Sequence, residues 1–268
     1  LMDIVINHHD KAAPPKSQAI FNYTDCWLNW LYCLDLPNNI QPYAALLARF
    51  HGLKEGPWLL AAPIHWEVSH NNAAVTATQK ELKLSPAESL AFYEVIASFL
   101  REDGFVLHYI NADTWLVKPM FKPAIKSAIP EWLLNRSLTP TLMSLDVSGY
   151  WPRLLTELQM LLSNHAYNQL KPRELTVNGI WFYGEGSFDA LKKTTYTDNV
   201  QLQACFPEHV KPLDLNIMDD HAVYLIDNYQ PDIIRKFQTY SKKHSTRWFW
   251  NNQAYQMIKK SWLDWLRG

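Results

Sequence analysis

"IHWEVSHNNAAVTATQKELKLSPAESLAFYEVIASFLREDGFVLHYINADTWLVKP" occupies residues 64–119. Its first part alternates apolar and polar residues and breaks at Asn71-Asn72, as a hairpin does. Its middle is a strongly marked helix. Ser85 is placed to cap the N-terminus, Pro86 takes the first helical position, Glu88 completes a capping box, and Gly104 ends the helix. Its last part folds back at Asn111-Ala112-Asp113 as a second hairpin. Two hairpins with one helix between them form a ββαββ unit, which can bury a core of its own. With the apolar run "GPWLLAAP" (56–63) leading into it, this unit is expected to be an inserted α+β subdomain over residues 57–120.

Outside that stretch the pattern changes. "DIVINHHD" (3–10) reads as a short buried strand entering a polar turn. "TDCWLNWLYCLDL" (24–36) has helical spacing, with Thr24 or Asp25 as N-cap, and "IQPYAALLARFHG" (40–52) is a second helix stopped by Gly52. Residues 120–148 are rich in Pro and Ser and read as a linker with short helical turns. "YWPRLLTELQMLLSNH" (150–165) is a helix. "VNGIWFYG" (177–184) is a buried strand of the main core, and "VQLQACF" (200–206) alternates as a strand. "HAVYLID" (221–227) is a strand followed by a helix over 231–242. The tail "NQAYQMIKKSWLDWLRG" (252–268) reads as an amphipathic helix with Tyr255, Ile258, Trp262 and Trp265 on one stripe. Docking onto a protein partner or a membrane surface is one use for such a stripe, and packing onto the domain is the other. Strands alternating with helices favour an α/β fold with a mostly parallel sheet, here a discontinuous core of residues 1–56 and 121–268.

Composition excludes several classes. Of 268 residues, 48% are hydrophobic and 19% charged, which suits a packed core and disfavours extended disorder. A formal net charge of −1 lacks the basic excess of a general nucleic-acid binder. Twelve Trp against eight Gly point to an aromatic core or an apolar contact surface. Cys26, Cys33 and Cys205 fit no zinc spacing and read as reduced thiols, so a cytoplasmic location is expected. No uncharged apolar window is long enough for a membrane span, and no secretory signal is visible.

In an open parallel sheet, ligands sit beyond the carboxyl ends of the strands. The turns after Asn7, Tyr183 and Asp227 are therefore the first places to look. His8, His9 and Asp10 are metal-ligand types at a strand end, and Asp219, Asp220 and His221 would have to join them. Such a set would suit zinc or manganese. The alternative is two solvated polar turns. Arg173 with Asn168 and Asn178 forms a candidate ligand site, because a guanidinium offers a planar fork to carboxylate or phosphate and an amide both donates and accepts. Its alternative is bracing, with Arg173 paired to Glu157 or Glu174. "YGEG" (183–186) lacks the Lys and Ser/Thr of a phosphate loop, and neither a GxGxxG nor a GxSxG motif is present.

"PYAALLARFHG" (42–52), "LSPAESLAFYEVIASFLREDGFVLHYINADTWLV" (84–117) and "NQLKPRELTVNGIWFYGEG" (168–186) occur in an order that resembles the RpfE-type bacterial regulatory proteins. More distantly the chain is similar to archaeal-type cofactor-independent phosphoglycerate mutases of the alkaline phosphatase superfamily. The resemblance implies an alkaline-phosphatase-like α/β core with an inserted small domain, a two-metal site and a Ser or Thr nucleophile. It also places Arg173, Asn168 and Asn178 in a substrate-side segment. The chain departs from that pattern. "NHHDKAAPP" (7–15) stands where a metal-binding Asp-Gly turn is expected, and "MDDHAVYL" (218–225) lacks the glycine of an Asp-His-Gly motif. Thr114 falls where the mutases carry an arginine, and no nucleophilic Ser is evident.

Two functions follow as expectations. The first is a non-catalytic regulatory or small-ligand-binding protein that needs no cofactor and takes a phosphorylated or carboxylate metabolite or a protein partner. The alternative is a metal-dependent phosphoryl-transfer enzyme, a phosphomutase or phosphatase, holding a divalent metal through His8, Asp10, Asp220 and His221.

Overall fold

The computed structural model describes residues 1–36, 41–69, 72–170, 172, 175–189 and 191–259. The chain divides into two compact units, residues 1–41 with 188–268 and residues 42–187. In chain order, the first unit begins with β1 (Met2–Ile6), β2 (Gln18–Ala19) and α1 (Cys26–Cys33). The second contains α2 (Tyr43–Phe50), β3 (Leu59–Ser69), β4 (Asn72–Ala77), α3 (Gln79–Leu82), α4 (Pro86–Glu102), β5 (Phe105–Asn111) and β6 (Thr114–Pro119). It continues with α5 (Pro130–Leu133), α6 (Thr139–Ser144), α7 (Tyr150–Leu162) and β7 (Gly179–Tyr183). The chain then returns to the first unit with β8 (Thr195–Thr197), α8 (Val200–Cys205), β9 (Val210–Pro212) and β10 (Val223–Ile226). The described elements end with α9 (Pro231–Ser241), β11 (Thr246–Trp250) and β12 (Ala254–Met257).

The first unit is α/β and rich in parallel pairing. Its sheet has the order β2-β12-β11-β1-β10-β8-β9, and the five strands from β11 to β9 run parallel. Strand β12 reverses against β11, and β2 reverses again. Every residue of β1 and β10 is buried, as expected of central strands covered on both faces. Side chains alternate across a strand. Trp248 of β11 faces Phe237 of α9, while Phe249 faces Tyr32 of α1. Helices therefore cover both sides of the sheet. Asp25 is the N-cap of α1, its carboxylate accepting from the Leu28 N–H.

The second unit is antiparallel, with the strand order β4-β3-β6-β5 and β7 also paired to β3. The ββαββ order holds, with the short helix α3 added before α4, while Asn71 of the expected first turn lies outside the described residues. Ser85 Oγ accepts from the Glu88 N–H while Glu88 reaches back to the Ser85 N–H, with Pro86 in the first turn. Gly104 takes a φ of +80°, a left-handed conformation that glycine adopts without a Cβ penalty. Asn111 Oδ1 accepts from the Asp113 N–H in the second hairpin. The core of this unit joins Phe92, Ile96 and Leu100 of α4 to Trp151, Leu154 and Leu158 of α7 and to Trp181 of β7. A smaller cluster sets Ala44 and Ala48 of α2 against Trp58, Leu60 and Leu116.

Four expectations change. "VNGIWFYG" is a strand, but it pairs antiparallel along β3, Leu60 opposite Tyr183 through Ile64 opposite Gly179, and so lies outside the parallel sheet. A strand buried on both faces is an unbroken apolar run in either kind of sheet, so its sequence carries no mark of its partner. With β7, α7 and α2 in the same unit, the division falls at residues 42 and 187, wider than the expected 57–120. "VQLQACF" is helix α8, because the Asn199 side chain caps it by accepting from the Leu202 N–H. In the tail, Ala254–Met257 forms strand β12, and the rest of the expected helix from residue 260 lies outside the described residues.

Candidate functional site

The carboxyl edge of the parallel sheet collects Asn7 after β1, Asp198 and Asn199 after β8, Asp227 after β10 and Asn251 after β11. Asp227 accepts from Asn7 Nδ2 at 2.8 Å through one carboxylate oxygen and from Asn199 Nδ2 at 2.7 Å through the other. Asp198 accepts the backbone N–H groups of Asp227 and Asn228, one on each oxygen, at 2.7 and 2.9 Å. Asn251 Nδ2 donates to Asn7 Oδ1 at 3.0 Å. Both carboxylates are thus answered by N–H donors of the chain itself. This network ties four strand ends together and leaves Asn251 Oδ1 buried without a hydrogen-bond partner among the described residues.

The expected metal ligands do not converge. His8 follows β1 and stacks on Tyr229, with ring centroids 4.2 Å apart. Asp10 is held in its turn by Asn252, which accepts the Asp10 N–H and donates to the Asp10 carbonyl. Asp220 and His221 precede β10. Because β1 and β10 are parallel and paired from Asp3–Val223 to Ile6–Ile226, these two groups stand at opposite ends of the sheet. A four-residue strand separates them, about 13 Å. Asp220 instead accepts from Tyr240 Oη at 2.8 Å and meets His244 Nδ1 at 3.3 Å. The Tyr240 hydrogen bond holds the Asp220 carboxyl below the usual range, while burial and Asp220 push the Tyr240 phenol up to about 12. Among the described residues no group of three or more His, Cys, Asp or Glu is placed to hold a metal ion. Burial pushes the thiols of Cys26 and Cys33 well above the ordinary cysteine range, which suits core packing and disfavours a nucleophile.

Of the expected ligand-binding trio, Arg173 lies outside the described residues. Asn168 is buried and fully occupied. Its Nδ2 donates to the carbonyls of Leu162 and Val177, and its Oδ1 accepts from the Val177 N–H. Asn178, half-buried, pairs with both backbone groups of Trp66 at 2.9 and 2.8 Å. Each amide replaces a missing strand partner; Asn168 spends both of its hydrogens in doing so, and Asn178 spends one. Replacing Asn168 with Ala strands the buried Val177 N–H and should cost about 1–3 kcal/mol of folding stability. Urea unfolding checks this, and a neutral substitution would return Asn168 to the list of ligand contacts.

At the opposite, amino-terminal edge of the same sheet is an open cleft of about 560 Å³. Lys192, Lys193, Thr194, His221 and Arg247 bring donors to it, and Asp35 and Asp219 bring acceptors. Behind it lies Asp3, the second residue of β1, which is fully buried. Arg247 grips Asp3 side-on, Nε to Oδ1 at 2.6 Å and Nη2 to Oδ2 at 2.8 Å. Lys193 adds a third bond to Asp3 at 3.1 Å and reaches Asp35 at 2.5 Å and the Cys33 carbonyl at 2.8 Å. The reading of the sequence missed this cluster, although one signal was present: an acid inside "MDIVI" must find a cation once the strand is buried.

Comparison with known proteins adds the following. No family model matches the chain, and no curated protein matches it. Among solved structures, it is similar to the cofactor-independent phosphoglycerate mutase from Thermoplasma acidophilum DSM 1728, at a TM-score of 0.38 and 12% identity. That superposition covers 96% of this chain and 89% of the other. Among the described residues no helix is long and apolar enough to cross a membrane.

Proposed function

We propose that the chain is a non-catalytic protein that binds a small ligand and acts through that binding. The observation that supports this reading is the carboxyl edge, whose two carboxylates are held by the chain's own N–H groups. Phosphoryl transfer at a metal centre needs carboxylates and imidazoles whose lone pairs point at the ion. Here each oxygen of Asp198 and Asp227 already accepts a backbone or amide hydrogen of the chain itself. Their geometry braces the strand ends without preparing a reaction. Open charged donors lie elsewhere on the unit, in a cavity of a size that suits a small metabolite.

The test is a metal analysis of the purified protein combined with phosphatase and phosphomutase assays in the presence of zinc or manganese. The expected result is substoichiometric metal and no turnover. Two bound ions per chain, with turnover lost in Asp227→Ala, would overturn the proposal in favour of a metal-dependent phosphoryl-transfer enzyme.

A further inference from the structure

We infer that the amino-edge cleft is an oxyanion-binding site, reading the end-on edge of Arg247 as its recognition element. This rests on the binding role proposed above and gives it a location and a ligand class. An arginine side chain has five N–H donors, arranged as a side-on pair edge and an end-on edge. Asp3 takes the side-on edge, formed by Nε and Nη2. The Nη1 hydrogens and the second Nη2 hydrogen have no acceptor among the described residues, and Arg247 lines the cleft. A guanidinium fixed on one edge by a buried carboxylate has already lost its rotamer freedom. A second oxyanion meeting the other edge gains two parallel hydrogen bonds at little ordering cost.

The neighbouring groups fit the same ligand class. Lys193 is consumed by Asp3, Asp35 and the Cys33 carbonyl, so it neutralises the cluster and is not free for a ligand. Lys192 lines the cleft, is exposed, and has no partner among the described residues. Asp219 spends one oxygen on the His221 N–H. Among the lining side chains, that leaves Arg247 and Lys192 as charged donors, with the Thr194 hydroxyl also in the lining. A single carboxylate or phosphate group is the chemistry such a set recognises.

Titration calorimetry of the whole chain with inorganic phosphate and, separately, with acetate tests the inference. Saturable binding of at least one is expected, and the tighter of the two identifies the oxyanion. Arg247→Lys keeps a cation for Asp3 but removes the end-on edge, and should weaken binding about tenfold. Lys192→Ala touches nothing structural and should weaken it about threefold. No saturable binding of either probe, or affinities that Lys192→Ala and a folded Arg247→Lys leave unchanged, would overturn the site. A chain without metal or turnover that also ignores both probes loses the cleft and keeps the non-catalytic reading. Turnover with bound metal, alongside phosphate binding lost in Arg247→Lys, does the reverse.

Discussion

Replacing Arg247 with Met should destabilise the protein by about 3 kcal/mol. Asp3 is fully buried in a central strand, and Arg247 supplies two of its three side-chain bonds. Without the guanidinium, the carboxylate keeps only Lys193 at 3.1 Å, too little to offset the loss of hydration. The remaining lysine places the expected cost at the low end of what breaking a buried pair does. The double variant Asp3→Asn with Arg247→Met should recover part of the loss, because the stranded charge is then absent as well. Urea unfolding of the two single variants and the double variant measures the coupling. A fully stable Arg247→Met protein would mean that the cluster contributes nothing to the sheet.

Trp151→Ala should cost about 3–5 kcal/mol in the second unit. Trp151 is fully buried on α7 and donates its indole N–H to the Pro123 carbonyl at 2.9 Å. Its ring packs between Phe105 of β5 and Phe182 of β7, with centroids 6.1 and 5.3 Å away. One side chain thus joins a helix to two strands that are far apart in sequence. Truncation removes the burial, opens a cavity that aromatic neighbours cannot fill by small shifts, and leaves a carbonyl without its donor. Trp151→Phe should lie well below the Ala variant, since it restores most of the volume and loses the hydrogen bond. Equal losses in both would show that the Pro123 bond outweighs the packing.

What could be read in the sequence was whatever is decided within a few neighbouring residues. The α4 helix announces itself through Ser85, Pro86, Glu88 and Gly104, because each of these satisfies a local backbone requirement. Pairing between distant segments leaves no comparable mark. Nothing in "GIWFY" distinguishes an antiparallel partner of β3 from a sixth parallel strand, and the error at β7 carried the unit boundary with it. Strand β11 is five residues of mostly aromatic character behind a basic turn. Its role became clear only once it lay beside β1. The candidate site was legible in kind but not in place. Polar residues do gather at the strand ends, yet Asn7, Asp198 and Asp227 answer one another there, while the open donors sit at the other edge.

The discontinuity of the first unit has a consequence for the order of assembly. Strand β1 lies between β10 and β11, and its partners, Val223 and Arg247 for Asp3, come more than two hundred residues later. As the chain leaves the ribosome, β1 is made well before β10 and β11 and waits for them, whereas strands β3 to β7 find their partners among residues 42–187. Closure of the parallel sheet is then the late, slow event. Until it happens, a strand of four apolar residues and one unpaired aspartate is without its neighbours. That aspartate makes the waiting segment less prone to aggregate, and it becomes a buried ion pair only when the last strands arrive.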